Sequence, residues 1–236
     1  MTKKILKVLV IGDTHDSPDI PDKSRFGWFA KHIRKSKPDI VVQIGDFVTL
    51  DSCTHYIRDD TYTAKIEKPI FMKDMESMDS AMEEFDYHLK DFKIKKYLTL
   101  GNHEKRMFRK EDSNPTFYGM CQKEFFGNCK KYDWQVIPYG KYLMLGGVGF
   151  IHAPINPMGK EYGGEASERQ VANKSKIDIV FGHSHRAQDN RVAKISPIPN
   201  DFTRIINVGC AMPHNHIESY AKHSLTGWTY QVCELK

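Results

Sequence analysis

The chain is poor in cysteine, in long apolar runs and in charge imbalance, and each shortage removes a class of protein. Five cysteines, Cys53, Cys121, Cys129, Cys210 and Cys233, are scattered through 236 residues with no CxxC spacing. An odd, unclustered set argues against a disulfide framework and against a thiolate zinc site, and free thiols point to a reducing cytoplasm. No stretch approaches the roughly 20 apolar residues that a membrane-spanning helix needs. The N-terminal MTKKILKVLVIGD puts lysines before apolar residues, as a signal peptide does. Its apolar part is short, and Gly12-Asp13 ends it where a cleavage region belongs. Lys and Arg number 35 against 30 Asp and Glu, a net charge of +5. That mild excess suits a soluble protein with an anionic substrate and does not by itself indicate nucleic acid. Repeats, low-complexity tracts and long linkers are absent, so residues 1–236, 40% apolar, read as one domain able to bury an ordinary core.

What the chain does contain is a recurring event, an apolar run that ends in glycine and then a polar residue. Ile5–Ile11 leads to Gly12-Asp13, Ile40–Ile44 to Gly45-Asp46, Tyr97–Leu100 to Gly101-Asn102-His103, and Ile177–Phe181 to Gly182-His183. A longer, glycine-containing run, Tyr142–Ile151, ends at His152. Short continuous apolar runs read as strands covered on both faces. Helical spacing falls between them. Ser24–Lys37 carries Phe26, Phe29 and Ile33, Asp74–Phe92 carries Met75, Met78, Met82, Phe85 and Leu89, and Met158–Lys176 is a more polar candidate. These stripes are core packing. Strands alternating with helices imply an α/β fold, in which ligands bind beyond the carboxyl ends of the strands. Every polar cluster falls at such an end, and glycine there lets backbone approach a ligand closely.

Collected, the strand-end residues are Asp13, His15, Asp46, Asn102, His103, His152, His183 and His185. Oxygen and imidazole ligands without sulfur suit a hydrolytic divalent-metal site. They exceed the needs of one tetrahedral zinc and suit two ions sharing a carboxylate. Each residue alone has an ordinary reading: Asp13 and Asp46 as turn residues, Asn102 as a helix cap, His152 as a core histidine, Gly182-His-Ser-His185 as a solvated turn. Independent turns, however, have no reason to carry such a set in order.

That order resembles the calcineurin-like metallophosphoesterase superfamily. Its series DxH, GD, GNH(D/E), H and GHxH stands here as Asp13-Thr-His15, Gly45-Asp46, Gly101-Asn-His-Glu104, His152 and Gly182-His-Ser-His185, spanning residues 13 to 185. The resemblance implies an α/β fold in a four-layer αββα sandwich, two mixed sheets flanked by helices, with the metal site at the C-terminal ends of strands. Ile205–Val208 and Thr229–Val232 would complete the second sheet. Asp13, His15 and His185 would hold one divalent ion, Asn102, His152 and His183 another, and Asp46 would bridge them. The ions would be Mn²⁺ first, with Fe, Zn, Ni or Co accepted by the same ligands. The implied reaction is hydrolysis of a phosphate ester (EC 3.1), with hydroxide between the ions as attacking group. His103, protonated, would face substrate and either stabilise the phosphate or hand a proton to the leaving oxygen, and Glu104 would either orient a neighbouring histidine or be a solvated acid at a helix start.

The sequence departs from the protein phosphatases of that superfamily, whose GDxxDRG reads here Gly45-Asp-Phe-Val-Thr-Leu-Asp51 without the arginine. The remaining motifs are shared with small phosphoesterases and with nucleases of the SbcD type. Those nucleases usually carry a DNA-binding cap, for which residues 186–236 leave little room. The expected substrate is therefore a small phosphate ester, a nucleotide being one candidate. The alternatives are a nuclease or phosphodiesterase and, from another class, a non-catalytic scaffold, which would require lost ligands. Two segments would select substrate or simply be solvated loops: Thr49–Lys73, with Asp51, His55, Tyr56, Arg58 and Tyr62, and Lys105–Tyr118, with Arg106, Arg109, Phe117 and Tyr118. His214 and His216 lie outside the series and read as a rim or surface pair.

Overall fold

The computed structural model describes residues 5–54, 70–164, 166–214, 216 and 227–236. Two five-stranded sheets form its centre. The first has β1 (Val8–Ile11), β2 (Ile40–Gln43), β3 (Lys95–Thr99) and β4 (Trp134–Ile137) side by side and parallel, with β10 (Val232–Leu235) antiparallel on the β1 edge. The second runs in the order β5 (Leu143–Leu145), β6 (Val148–Phe150), β7 (Ile179–Phe181), β9 (Phe202–Val208) and β8 (Ala187–Ala193). Its β6, β7 and β9 are parallel, and β5 and β8 are antiparallel edges. The helices are α1 (Ser24–Ser36), α2 (Phe71–Leu89), α3 (Lys105–Ser113), α4 (Met120–Lys131) and α5 (Ser167–Lys174).

Side chains alternate faces along a strand, and here both faces find apolar cover. Val8, Val10, Ile40, Val42 and Ile44 meet Phe150, Val180 and Val208 between the sheets. On the opposite face Leu9, Ile11, Val41 and Leu98 pack under Phe26, Phe29 and Ile33 of α1, Met75, Met78, Met82 and Phe85 of α2, and Phe125 of α4. In the second sheet Ile179, Phe181 and Ile205 turn outward to Val171 and Ala172 of α5. The result is the expected four layers. Each fully buried side chain of this size contributes on the order of 1.5–3 kcal/mol. No helix among the described residues is long and apolar enough to cross a membrane.

Several expectations need correcting. The C-terminal run does not complete the second sheet. Only β9 does so, while the last strand starts at Val232 and returns to β1 with Val8 opposite Leu235. Without it, β1 would expose an unpaired edge. Tyr142–Ile151 is not one strand but a hairpin turning at Gly146-Gly147, where φ is +58° and +90°. The helix expected over Met158–Lys176 begins only at Ser167. Lys105–Tyr118 is not a loop, since α3 occupies it as far as Ser113.

Candidate metal centre

The predicted residues sit on turns at the carboxyl ends of β1, β2, β3, β6 and β7, and these turns are strained. His15, Asp46, His183 and His185 have φ of 43°, 48°, 70° and 57°. The left-handed region costs a non-glycine residue about 1–2 kcal/mol, so surrounding contacts must hold each turn. The Thr14 and His15 N–H groups donate to the Asp46 carbonyl at 3.1 and 2.9 Å, and the His183 N–H to Asp13 Oδ2 at 2.8 Å. Glycine is required where turns meet. A Cβ on Gly101 would lie 2.1 Å from Asp46 Oδ1, and one on Gly182 2.3 Å from Asp13 Oδ1.

Three groups of potential ligand atoms lie within 4.8 Å of one another: Asp13, His15 and His185; Asp46, His152 and His183; and His15, Asp46 and His103. In the first, His185 Nε2 is 3.1 Å from both Asp13 Oδ2 and His15 Nε2. In the second, His152 Nε2 is 3.3 Å from Asp46 Oδ2 and 2.9 Å from Asn102 Oδ1. Asp46 Oδ2 is also 3.7 Å from His15 Nε2, so one carboxylate oxygen faces both groups. Asp13 Oδ1 is buried with no hydrogen-bond donor among the described residues. His152 Nδ1–H donates to the Ile44 carbonyl at 3.1 Å, which aims Nε2 inward. Orphaned carboxylate oxygen and converging imidazole nitrogens fit a divalent transition ion, and thiolate is absent from the set.

The electrostatics agree. Burial, then the rings of His103 and His185, hold His15 well below the usual imidazole range. Burial and His152 lower His183. Both are thus neutral and ready to coordinate. Burial opposes ionisation of Asp46, but the facing His152 and His103 outweigh it and keep Asp46 well below the usual carboxylate range. Burial likewise pulls His152 down, but Asp46 and Asp13 outweigh it and raise its pKa to about 10. The two carboxylates thus demand positive charge at this point, which a divalent ion would supply with His152 neutral as its ligand.

His103 lies beside this set with its ring centroid 4.4 Å from that of His15. Its backbone N–H donates to Asp46 Oδ1 at 2.9 Å, and its Nδ1–H to the Thr49 carbonyl at 2.8 Å. Nε2 is then an acceptor, and Arg106 Nη2 donates to it at 3.1 Å. Arg106 also donates to the Thr49 carbonyl at 2.8 Å and to Asp51 at 3.3 Å. Among the described residues Glu104 makes no hydrogen bond to a histidine, and it is fully buried, so it is neither the orienting residue nor the solvated acid that the sequence suggests. Its carboxylate accepts the backbone N–H groups of Asp46, Val48 and Gly101 at 3.0, 3.2 and 2.7 Å, which joins the turns after β2 and β3. Burial, reinforced by Asp46, raises its pKa to about 7.

Of the remaining candidates, Arg109 and Tyr118 are exposed on the surface. His55, Tyr56, Arg58, Tyr62 and the Phe117 side chain lie outside the described residues. His214 is exposed and packs on Tyr230, and neither it nor His216 belongs to a ligand group found among the described residues. Trp228 escaped the sequence reading. Its ring meets His185 edge-on at 4.8 Å, and the neighbouring Thr229 N–H donates to the His185 carbonyl at 2.8 Å. No local pattern marks it, because the contact joins distant segments.

Layered sheets with aspartates, an asparagine and histidines gathered at strand ends define an α/β protein with a metal-binding type of centre. A profile of the calcineurin-like phosphoesterases matches residues 6–187, and the chain belongs to that family. No curated protein matches the sequence significantly. Among solved structures, the chain is similar to a double mutant of Vps29 from Entamoeba histolytica. The identity is 14% over 87% of this chain and 75% of that one, with a TM-score of 0.37. A single mutant of the same protein shows 12% identity over the same shares, with a TM-score of 0.29.

Proposed function

We propose that this chain is a single-domain cytoplasmic phosphoesterase (EC 3.1) that holds two divalent ions and hydrolyses a small phosphate ester, a nucleotide being one candidate. One observation carries the reading: Asp46 Oδ2 stands between His15 and His152, 3.7 and 3.3 Å from their Nε2 atoms. Asp13, His15 and His185 would hold one ion, Asn102, His152 and His183 the other, and Asp46 both. Bound there, the ions supply charge neutralisation for a phosphate and acidify a water. Mn²⁺ suits this imidazole-rich set better than Mg²⁺, which prefers oxygen ligands. The cytoplasmic assignment is supported by five cysteines without a disulfide.

The chain's own residues then divide the work. Glu104 holds the Asp46 turn against Gly101. Arg106 binds a phosphate oxygen, for which its fork of donors is well shaped. In moving to substrate it leaves His103 Nε2, which takes up a proton from solvent to become an imidazolium and passes that proton to the leaving oxygen. The Thr49 carbonyl keeps the His103 ring oriented throughout.

Metal-loaded protein should be offered nucleoside monophosphates, cyclic nucleotides, p-nitrophenyl mono- and diesters, and DNA. Turnover of a monoester supports the reading, and preference for DNA or diesters makes the protein a nuclease or phosphodiesterase. Metal-loaded protein inert on all of them is a scaffold, and the proposal fails.

A further inference from the structure

Ser184 separates the two histidines of the Gly182–His185 turn, and its side chain enters a closed polar network. Asn207 Nδ2 donates to Ser184 Oγ at 2.6 Å and to Glu168 Oε1 at 2.9 Å, while the Ser184 hydroxyl donates to Glu168 Oε1 at 3.3 Å. Glu168 has no exposed surface and Asn207 is 1% exposed. A fully buried carboxylate is expensive and uncommon, and Glu168 Oε2 has no hydrogen-bond donor among the described residues. Glu168 does not belong to any of the ligand groups found among those residues. It lies in the first turn of α5, where the helix dipole favours negative charge.

The network grips the turn from behind. His183 and His185 both sit in the left-handed region, at 70° and 57°, and Ser184 N–H closes on the Gly182 carbonyl at 2.8 Å. Asn207 Oδ1 accepts the Gly209 N–H at 3.1 Å, and the Ala211 N–H donates to the Asp13 carbonyl at 2.8 Å. The same anchor therefore reaches the β1 turn as well as the β7 turn. The geometry points to Glu168 as a positioning residue for both halves of the metal centre. Acting through Ser184 and Asn207, it holds His183 toward one ion and His185 toward the other while touching neither.

This inference rests on the metal-centre reading, and its test separates the two. Metal-free protein is titrated with Co²⁺, following its visible absorption, and with Mn²⁺ by calorimetry, and thermal melts of the metal-free forms are recorded. Loss of an outer-shell partner costs about 10- to 100-fold in metal affinity. Glu168→Ala and Ser184→Ala should each weaken both ions by that factor and alter the Co²⁺ spectrum. Glu168→Gln, which keeps the acceptor oxygen, should stay within about fivefold of wild type, the difference between a charge-assisted and a neutral hydrogen bond. The double variant Glu168→Ala/Ser184→Ala should be no weaker than the worse single, because both remove one anchor. If Glu168→Ala does not fold, Ser184→Ala, which deletes one oxygen, decides alone. Wild-type affinity in Ser184→Ala, a full loss in Glu168→Gln, or additive losses in the double variant would each overturn the inference. Wild-type protein that takes up no metal overturns the metal-centre reading itself.

Discussion

Replacing Asp46 by asparagine changes one oxygen for one amide nitrogen, and the structure says where that nitrogen goes. The His103 N–H donates to Oδ1 at 2.9 Å, so the asparagine carbonyl is held at that position. The amide then occupies the place of Oδ2, which faces His15 Nε2 at 3.7 Å and His152 Nε2 at 3.3 Å. A donor would point into both ligand groups where an anion had stood. Losing a contact to a charged group costs about 1.5–3 kcal/mol. Applied at each ion, that is roughly a 10- to 150-fold rise in each Kd. His185→Ala, by contrast, should weaken mainly the ion beside Asp13. Elemental analysis after desalting, with calorimetric titration, reads both effects. Full occupancy of two ions in Asp46→Asn would refute the shared-carboxylate argument.

Other outcomes follow from the same geometry. Gly182→Ala would bring a Cβ within 2.3 Å of Asp13 Oδ1 and should weaken the ion at Asp13, His15 and His185 first; unchanged metal content would show that the turns can separate at no cost. If His103 donates a proton, His103→Ala should keep both ions and lose about 10²- to 10⁴-fold on an alkyl phosphate ester, with much less lost on the p-nitrophenyl ester, whose leaving group needs no proton. Equal losses on both esters would make His103 a phosphate binder instead. Burial raises the Asp74 carboxyl from 3.8 to about 6, so its contribution to stability is full below about 3.8 and is lost as pH rises through about 6. Asp74→Asn should flatten that decline in melts between pH 4 and 7, and an unchanged slope would contradict the assignment.

The turns that carry the candidate ligands were legible because two local signals coincide there. Apolar runs such as Val8–Ile11 bury both faces and so show as unbroken apolar sequence. They stop where Gly101 and Gly182 let one turn touch another. Helix α4 was not legible, because MCQKEFFGNCKK carries Gly127 in its interior and buries only Phe125 and Cys129. Strand β8 reads Ala-Gln-Asp-Asn-Arg-Val-Ala with no buried residue, so it lacks an apolar pattern. The sheet that receives β10 depends on the free edge of β1, more than 200 residues earlier in the chain, which no local window contains. Shorter separations, still beyond any local window, hid Trp228 behind His185 and concealed that Glu104 serves the backbone of Asp46 and Val48.

Metal stoichiometry tests the central claim most directly. Purified chain is stripped with chelator, saturated with Mn²⁺, desalted and analysed for metal per polypeptide. Two ligand groups sharing Asp46 predict about two ions per chain. One ion or fewer at saturation would contradict the account.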